Sequence, residues 1–371
     1  MLLADMGARV IKVEPPDGDS TRAMAGARGN DSAAFNAVNR GKQGMVLNLA
    51  TDKGRDVFMR LARSADVIVE NYRPGVMARL GLDYPAVSAQ NPRVIYASIS
   101  GHGQTGPWAA KGGFDLIAQG LSGIMSVTGT PGGPPIKAGL PVTDLGAGLF
   151  ASIGILAALH HRNQSGRGQH IDTSLVEAGL ALSVWEATEY FSKGQAPGPL
   201  GSAHRMTAPY QAFQCADGYI TIGAANDRNF AKLAAVLGHP EWTSDSRFVK
   251  DHLRVQHRDE LAALIEAVTV TETRDAWIAR LDQAGIPCGP ILDYEGALNT
   301  PQAIAREMTV AVEHPRLGRL RTLGTPLKMS ATPLNPRGRA PMLGEHTDMV
   351  LLDAGYSDDE IEQLRYAGAV L

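Results

Sequence analysis

Short apolar runs alternate with amphipathic stretches over the first hundred residues, and this pattern limits the fold more than any other feature of the sequence. The runs at 8–14, 66–71 and 93–100 are predicted strands, and the stretches at 53–65 and 74–82 have the apolar spacing of helices. Strands that alternate with helices form a parallel sheet with right-handed crossovers. We therefore expect an α/β fold, with ligands bound at the carboxyl ends of its strands.

The later part of the chain has a different organisation. With 371 residues, the chain is long enough for two domains. A segment rich in Gly, Pro and Ala at 192–205 predicts a linker between a large domain, 1–191, and a smaller α+β domain, 206–315. Two helices are expected in the tail, the second beginning at Ser357 with acidic residues in its first turn.

Charge and cysteine content exclude several classes of protein. The net charge of −3, without a dense basic run, gives no reason to expect a nucleic-acid partner. Cys215 and Cys288 are far apart, and the histidines lack ligand spacing, so neither a disulfide framework nor a metal site is expected. The longest apolar run, 149–159, is too short to cross a bilayer, and no signal peptide is evident, so no membrane partner is expected.

Asp144 is the most informative single residue, because it directly precedes this apolar run. Aspartate is a favoured helix N-cap, and a helix predicted from Leu145 to about residue 161 would begin there. A helix N-terminus also keeps a carboxylate ionised and therefore available as a nucleophile. The nearby Gly139, Gly146 and Gly148 leave room for an acyl group and offer backbone N–H donors. The residues alone leave both roles open.

A second group of candidates follows the strand at 66–71. Arg73 and Arg79 are able to hold phosphates, and Tyr72 is able to stack on a purine. A solvated helix face is the alternative interpretation. The glycine-rich stretches at 100–107 and 128–135 match neither the dinucleotide-binding fingerprint nor the P-loop, so they identify no nucleotide site.

Several longer stretches resemble, in order, the class III CoA-transferases, the family of formyl-CoA transferase and carnitine CoA-transferase. They are "LLADMGARVIKVEPPDGDSTR", "NRGKQGMVLNL", "ADVIVENYRPGVMARLGL", "NPRVIYASISGHGQTGP", "VTDLGAGLFASIGILAAL" and "PMLGEHTDMVLLDAGYSDDEIEQL". The resemblance covers essentially the whole chain. It implies that Asp144 is the nucleophile.

The resemblance also implies an architecture and a ligand. The large domain is expected to be Rossmann-like, with a C-terminal segment, 316–371, that returns to it, and two chains are expected to interlock as a homodimer. A coenzyme A thioester is expected as substrate rather than as a permanently bound cofactor. The positions that match CoA contacts of the family are Leu47, Asn71, Tyr72, Arg73, Arg79 and Leu80.

The sequence departs from the family pattern in two places. The family has a strand and a Gly-Pro loop before the segment matching "LLAD", and this sequence begins inside the following helix, so weakened CoA binding is expected. The racemase branch of the family uses a histidine where this chain has Phe114, followed by Asp115. The missing imidazole favours acyl transfer over removal of an α-proton, and we expect Phe114 and Asp115 to contact substrate.

The small domain resembles the subgroup of succinate–hydroxymethylglutarate CoA-transferase, which moves CoA between dicarboxylates. His204 and Arg205, at the entrance to that domain, are expected to hold the second carboxylate of a small carboxylic acid, because an arginine fork is its best partner. The alternative is that Arg205 is a solvated linker residue.

The predicted reaction is transfer of CoA from an acyl-CoA to a carboxylic acid through an aspartyl-CoA thioester. The alternatives are a 2-methylacyl-CoA racemase on the same fold and a CoA-binding protein without activity. The expected location is the bacterial cytoplasm, or the mitochondrial matrix in a eukaryote.

Overall fold

The chain forms two compact units. The computed structural model describes residues 1–24, 32–334, 336 and 338–371. Unit 1 comprises Met1–Ala118, Pro141–Gly179 and Leu298–Leu371, and unit 2 comprises Gln119–Leu140 and Leu180–Ala297. Both units are therefore discontinuous in sequence, and their limits differ from those of the predicted domains.

Helices and strands alternate along the described part of the chain. The helices are α1 (Leu2–Asp5), α2 (Ala33–Asn39), α3 (Asp52–Ala62), α4 (Val76–Leu80), α5 (Tyr84–Gln90), α6 (Asp115–Leu121), α7 (Ile124–Val127), α8 (Val142–Ser165), α9 (Leu175–Leu182), α10 (Val184–Lys193), α11 (Asp227–Val236), α12 (Asp251–Gln256), α13 (Arg258–Thr269), α14 (Arg274–Gln283), α15 (Tyr294–Leu298), α16 (Pro301–Ala305), α17 (Thr347–Asp353) and α18 (Asp358–Tyr366). The strands are β1 (Ile11–Glu14), β2 (Gln43–Val46), β3 (Val67–Glu70), β4 (Ile95–Ser100), β5 (His170–Ser174), β6 (Tyr210–Cys215), β7 (Gly218–Gly223), β8 (Cys288–Pro290), β9 (Thr309–His314) and β10 (Gly318–Leu323).

The sheets of unit 1 are mainly parallel. Strands β3, β4 and β5 form a parallel sheet in that order, with Val67 opposite Ile95 and Tyr96 opposite His170. Strands β1 and β2 form a second parallel pair, and β9 and β10 form an antiparallel hairpin. In unit 2, β6, β7 and β8 form an antiparallel sheet. The predicted α/β class is confirmed as a mixed α/β fold.

The central strand β4 is buried on both faces. Ile95 and Ala97 pack against Ile155 and Ala158 of α8 on one face. Tyr96, on the other face, packs in a cluster with residues of α3, α4 and α5. Burial on both faces explains the nearly continuous apolar sequence of this strand, and each large apolar side chain so buried stabilises the fold by about 1.5–3 kcal/mol.

Helix α8 runs from the carboxyl edge of this sheet to its amino edge. Just beyond its last residue, Gly166 accepts from the Arg93 guanidinium (3.3 Å) and the N–H of Gly168 donates to the carbonyl of Pro92 (2.9 Å). Both partners lie just before β4. A helix of 24 residues is about 36 Å long, whereas a six-residue strand spans about 20 Å. The N-terminus of α8 therefore lies at the carboxyl edge, where ligands are expected.

Both ends of the chain contribute to unit 1. Residues of β2 and α3 share a core with α17 and α18, and the N–H of Asn48 donates to the carbonyl of Ala369 (2.8 Å). The fully buried Arg40 pairs with Asp5 (2.6 Å) and also donates to the carbonyl of Leu323. The predicted start of the last helix is confirmed, since Ser357 forms a capping box with Glu360.

Unit 2 has its own core. The inward side chains of β6 and β7, Phe213, Ile220 and Ile222, pack against α11, α13 and α14. Trp277 of α14 is buried there and donates its indole N–H to the carbonyl of Thr269 (2.8 Å).

Within the described residues, one helix, α8, is long and apolar enough to cross a membrane by length and composition alone. The run considered in the sequence, 149–159, is shorter than this helix. A single helix of this kind is weak evidence for a membrane span, because core helices of soluble proteins have the same character.

Candidate active site

Asp144 lies in the first turn of α8 and does not cap it. The helix begins at Val142, three residues earlier than predicted, and its N-cap position is Pro141, which makes no side-chain cap. Asp144 is therefore the third helical residue, and the interpretation of Asp144 as the N-cap is wrong. Its side chain stays exposed at the carboxyl edge of the sheet.

The cap of α8 comes from Asp115 instead. Asp115 is the first residue of α6, and its Oδ1 accepts the backbone N–H of Thr143 (3.0 Å) and the hydroxyl of Thr143 (2.7 Å). Thr143 is completely buried. An N–H in the first turn of a helix lacks a partner within the helix, so the Asp115 carboxylate satisfies a donor that Pro141 leaves open.

The two carboxylates affect each other. Partial desolvation raises the pKa of Asp144, and the negative charge of Asp115 raises it further. Asp144 as a whole is exposed, but protein atoms pack around part of its carboxyl group and shield that part from water. A carboxylate with a raised pKa is more basic and therefore a stronger nucleophile.

The glycines near Asp144 provide space but not the expected donors. A Cβ placed on Gly139 or Gly148 would meet open space. Gly146 and Gly148 lie inside α8, where backbone N–H groups are bonded along the helix. The expectation that Gly146 and Gly148 offer free backbone N–H donors is therefore wrong.

The predicted CoA contacts after β3 lie in one loop at the same edge of the sheet. Asn71 donates its side-chain N–H to the carbonyl of Ile99 (2.6 Å), which ties this loop to β4. Tyr72 is half exposed, and burial, followed by the charges of Glu70 and Asp19, raises its pKa. The Arg73 guanidinium lies over Gly112, where a Cβ would come within 2.8 Å of Nη2.

The remaining predicted CoA contacts differ in their accessibility. Arg79 is exposed in the last turn of α4, and Leu80 packs partly against the neighbouring core. The side chain of Leu47 is 1% exposed within the core shared with α17 and α18. If Leu47 contacts CoA as predicted, the contact therefore involves its backbone rather than its side chain.

Phe114 and Asp115 lie next to each other at the start of α6 but differ in exposure. Phe114 is 79% exposed, whereas Asp115 is partly buried against Thr143. The structure brings Asp115 close to Asp144, as the expected substrate contact requires, but its Oδ1 is occupied by Thr143.

Arg205 belongs to a network within unit 2. Its guanidinium pairs with Glu189 (2.9 Å) and Glu186 (3.6 Å) and donates to the carbonyl of Gly198 (2.9 Å). The Arg205 and Glu189 side chains are mostly buried. The alternative of a solvated linker residue is therefore wrong, and a substrate carboxylate would have to compete with Glu189.

His204 lies in an aromatic environment. Its ring makes edge contacts with Trp185 (6.4 Å between centroids) and Tyr210 (5.2 Å). Nδ1 accepts the backbone N–H of Met206 (3.1 Å), so in the neutral ring the proton lies on Nε2. His204 is thus able to donate one hydrogen bond from Nε2.

Sequence reasoning missed Thr143 and Glu189. Thr143 lies beside the predicted nucleophile. Pro141, two residues earlier, has no side-chain acceptor, and this was the available signal that another part of the chain caps the helix. Glu189 gave no local signal, because it is 16 residues from Arg205.

In the part of the chain that the structure describes, no group of three His, Cys, Asp or Glu side chains is placed to hold a metal ion.

Comparison with known proteins defines the class. The model of CoA-transferase family III matches residues 1–347, and the chain belongs to this family. It is similar to an acetyl-CoA:oxalate CoA-transferase from Acetobacter aceti, with 42% identity over 93% of this chain and 88% of the relative. It is 39% identical to a succinate–glutarate CoA-transferase from Agrobacterium fabrum, over 95% of this chain and 90% of the relative.

Solved structures agree with this assignment. The crystal structure of a CAIB/BAIF family protein from Brucella suis has a TM-score of 0.82 and 38% identity, over 95% of this chain and 93% of that one. The resemblance predicted from the sequence motifs is confirmed. The protein is an enzyme, a CoA-transferase of family III, and acyl transfer is favoured over the racemase and non-catalytic alternatives.

Proposed function

We propose that this enzyme transfers CoA from an acyl-CoA to a dicarboxylic acid with Asp144 as nucleophile. The observation that carries the proposal is the position of Asp144, exposed in the first turn of α8 at the carboxyl edge of a parallel sheet. Ligands of open α/β sheets bind at this edge. The raised pKa of its carboxyl supports nucleophilic attack.

The reaction proceeds through covalent intermediates. Asp144 attacks the thioester carbonyl of the donor, the C–S bond breaks, and an acyl-aspartyl anhydride and CoA thiolate form. The thiolate attacks the aspartyl carbonyl of the anhydride, which releases the donor acid and leaves an aspartyl-CoA thioester. The acceptor carboxylate then attacks this thioester, and the thiolate takes the new acyl group and regenerates Asp144. Donor and product are both CoA thioesters, so the overall exchange requires no separate source of free energy.

The CoA moiety is proposed to bind along the loop after β3. Arg73 and Arg79 provide guanidinium groups for the phosphates, and exposed Tyr72 provides a ring for the adenine. Asn71 holds this loop against β4 and so fixes the direction of the bound thioester. Phe114, exposed beside Asp115, is proposed to cover the acyl group.

A dicarboxylate acceptor is supported by the names of the relatives. One acts on oxalate and the other on succinate and glutarate, which are all dicarboxylates. The second carboxylate of such an acceptor requires a hydrogen-bond donor in the enzyme. A buried carboxylate without such a partner would be costly.

The enzyme is further proposed to be a homodimer with a Rossmann-like large domain. Leu145, Leu149 and Ile153 of α8 are each more than half exposed in the single chain. A continuous apolar helix face of this kind is expected to be covered by a partner. A second copy of the chain is the partner that the family relationship supports.

A transfer assay with defined variants tests the proposal. Acetyl-CoA and succinyl-CoA are offered with oxalate, succinate, glutarate and butyrate, and the acyl-CoA products are measured by mass. The wild-type enzyme is expected to prefer a dicarboxylate, and Asp144→Asn is expected to lose transfer by roughly 10³-fold or more. Asp52→Asn, which changes an exposed aspartate in the first turn of α3, is the matched control and should keep full activity.

Two results of this assay would contradict the proposal. Transfer by Asp144→Asn at a rate near that of the wild type would exclude Asp144 as the nucleophile. Butyrate used as well as glutarate would exclude selection for dicarboxylates and leave the family-level activity.

A further inference from the structure

We propose that Asp115 is a positioning residue of the transfer reaction, which caps α8 through Thr143 and so fixes the turn that carries Asp144. The inference rests on the proposed role of Asp144 as nucleophile. It assigns to Asp115 a role different from direct contact with substrate.

The geometry gives α8 an external cap. The sequence places Pro141 at the N-cap position, where most helices have a residue whose side chain accepts an N–H of the first turn. The Asp115 carboxylate takes this role from 28 residues away, and one oxygen accepts both the N–H and the hydroxyl of Thr143. The first turn of α8 is therefore held by α6 and not by its own preceding residue.

The position of this cap matters because Thr143 directly precedes Asp144. Thr143 is completely buried, so the two hydrogen bonds fix its backbone and side chain together. A nucleophile must keep the reacting atoms within a few tenths of an ångström of attack geometry, and a displacement of about 1 Å costs about 10²-fold in rate. A first turn that frays would move the Asp144 carboxylate by such a distance.

The same carboxylate has an electrostatic effect. Among the described residues, Asp115 is the charged group that acts on the Asp144 carboxyl. Its negative charge raises the pKa of that carboxyl and so makes it more basic. Thr143, between the two acids, is uncharged. Asp115 thus contributes hydrogen bonds that hold the helix and a charge that increases the basicity of the nucleophile.

Variants separate these two contributions. Asp115→Ala removes both and is expected to lower kcat about 10- to 100-fold, with the KM for acyl-CoA changed less than about threefold. Asp115→Asn keeps an oxygen that accepts both bonds of Thr143, so kcat near neutral pH should stay within about fivefold of the wild type. Because Asn lacks the charge, the acid limb of kcat/KM should move to lower pH, a shift that a purely structural role would not produce.

Further variants test the contact itself. Thr143→Val removes the hydroxyl donor and keeps the N–H, so its kcat should lie between those of the wild type and Asp115→Ala, and Thr143→Ser should restore the wild-type value. Asp83→Ala is the matched control. Asp83 caps α5 by accepting the N–H of Ala86 (3.2 Å), so its loss should lower the melting temperature and leave kcat unchanged.

The rate at which the Asp144 peptide becomes acylated by acyl-CoA is the deciding measurement, because it separates the two proposals. Slow acylation in Asp115→Ala, with Asp83→Ala at the wild-type rate, supports the positioning role. Acylation of Asp115→Ala at the wild-type rate would overturn the positioning role alone. The absence of acylated Asp144 in the wild-type enzyme would overturn the proposed function, and the role of Asp115 with it.

Discussion

Arg205 and Asp144 take opposite roles because of the groups that lie beside them. Arg205 forms an ion pair with Glu189. The hydrogen bonds from Lys193 and Arg205 outweigh the effect of desolvation and lower the pKa of Glu189. The pKa of Asp144 is raised by partial desolvation and, to a smaller degree, by the like charge of Asp115. The first arrangement stabilises a fold, whereas the second is the arrangement expected for the reactive carboxylate that we propose Asp144 to be.

Arg205→Ala is expected to destabilise unit 2 by about 1–3 kcal/mol at neutral pH, because it leaves Glu189 mostly buried without a main partner. The KM values for glutarate and butyrate should change by similar factors. The loss of stability is measured by denaturant unfolding, with exposed Arg228→Ala as control. Because the folded pKa of Glu189 is lowered, the difference between wild type and variant should decrease as the pH falls through that pKa, and the part due to the hydrogen bond from Arg205 to the carbonyl of Gly198 should remain. A rise in KM confined to dicarboxylates would instead assign Arg205 to the substrate.

At the scale of elements, long-range contacts determine where helices begin and how connecting segments are held. Helix α8 begins three residues before its predicted start because its cap is Asp115, which no local pattern reveals. Residues 339–345, shortly before α17, are held in a similar way. Glu345 accepts from the Arg339 guanidinium (2.7 Å) and from the N–H of Met342 (2.8 Å), and these bonds lower its pKa from 4.5 to about 2 against the opposing effect of desolvation.

Glu345→Gln should lower the stability of the enzyme at neutral pH by about 1–3 kcal/mol, because the charged hydrogen bonds are replaced by neutral ones. The wild-type advantage is full above pH 4.5 and should be lost as the pH falls towards about 2. Thermal unfolding over this range measures the effect. Glu362→Gln, which changes a largely exposed carboxylate on α18, is the control and should differ little from wild type at any pH. A stability difference for Glu345→Gln that is independent of pH would contradict this interpretation.

The elements that sequence periodicity predicts well are those whose burial is local. Strand β4 and helices α3 and α4 lie where the apolar patterns place them, because each buries the face that the pattern marks. The family motif found Asp144, but it did not find Thr143 or Glu189. Those contacts join residues 28 and 16 positions apart, and pairing at such distances depends on the folded chain rather than on local propensity.

At the scale of the whole molecule, the apolar face of α8 links the fold to assembly. The buried side of this helix packs on β4 and β5, and the opposite side exposes Leu145, Leu149 and Ile153. The same helix carries Asp144 in its first turn. A partner that covers this face would also exclude water near the proposed nucleophile, which strengthens electrostatic interactions there.

Ile153→Asp is therefore expected to convert the proposed dimer to a monomer and to abolish transfer. Ile153 is 62% exposed in the single chain, so the change should not disturb the core of unit 1. Light scattering after size exclusion measures the mass. Tyr366→Asp, at a position that is 96% exposed on α18, is the control and should remain dimeric. A monomeric wild-type enzyme with full activity would contradict the proposed dimer.

The fate of carboxylate oxygen tests the role of Asp144 most directly. In the proposed mechanism the acceptor carboxylate attacks the aspartyl thioester, and the oxygen that bridges the resulting anhydride stays on Asp144 when the thiolate takes the acyl group. After a single turnover with glutarate labelled with ¹⁸O in its carboxylates, the peptide that contains Asp144 should gain about 2 Da, rising towards about 4 Da over many turnovers, and Asp144 should be the labelled residue. An unlabelled Asp144 after many turnovers, with transfer proceeding normally, would show that the acyl group never bonds to this carboxylate.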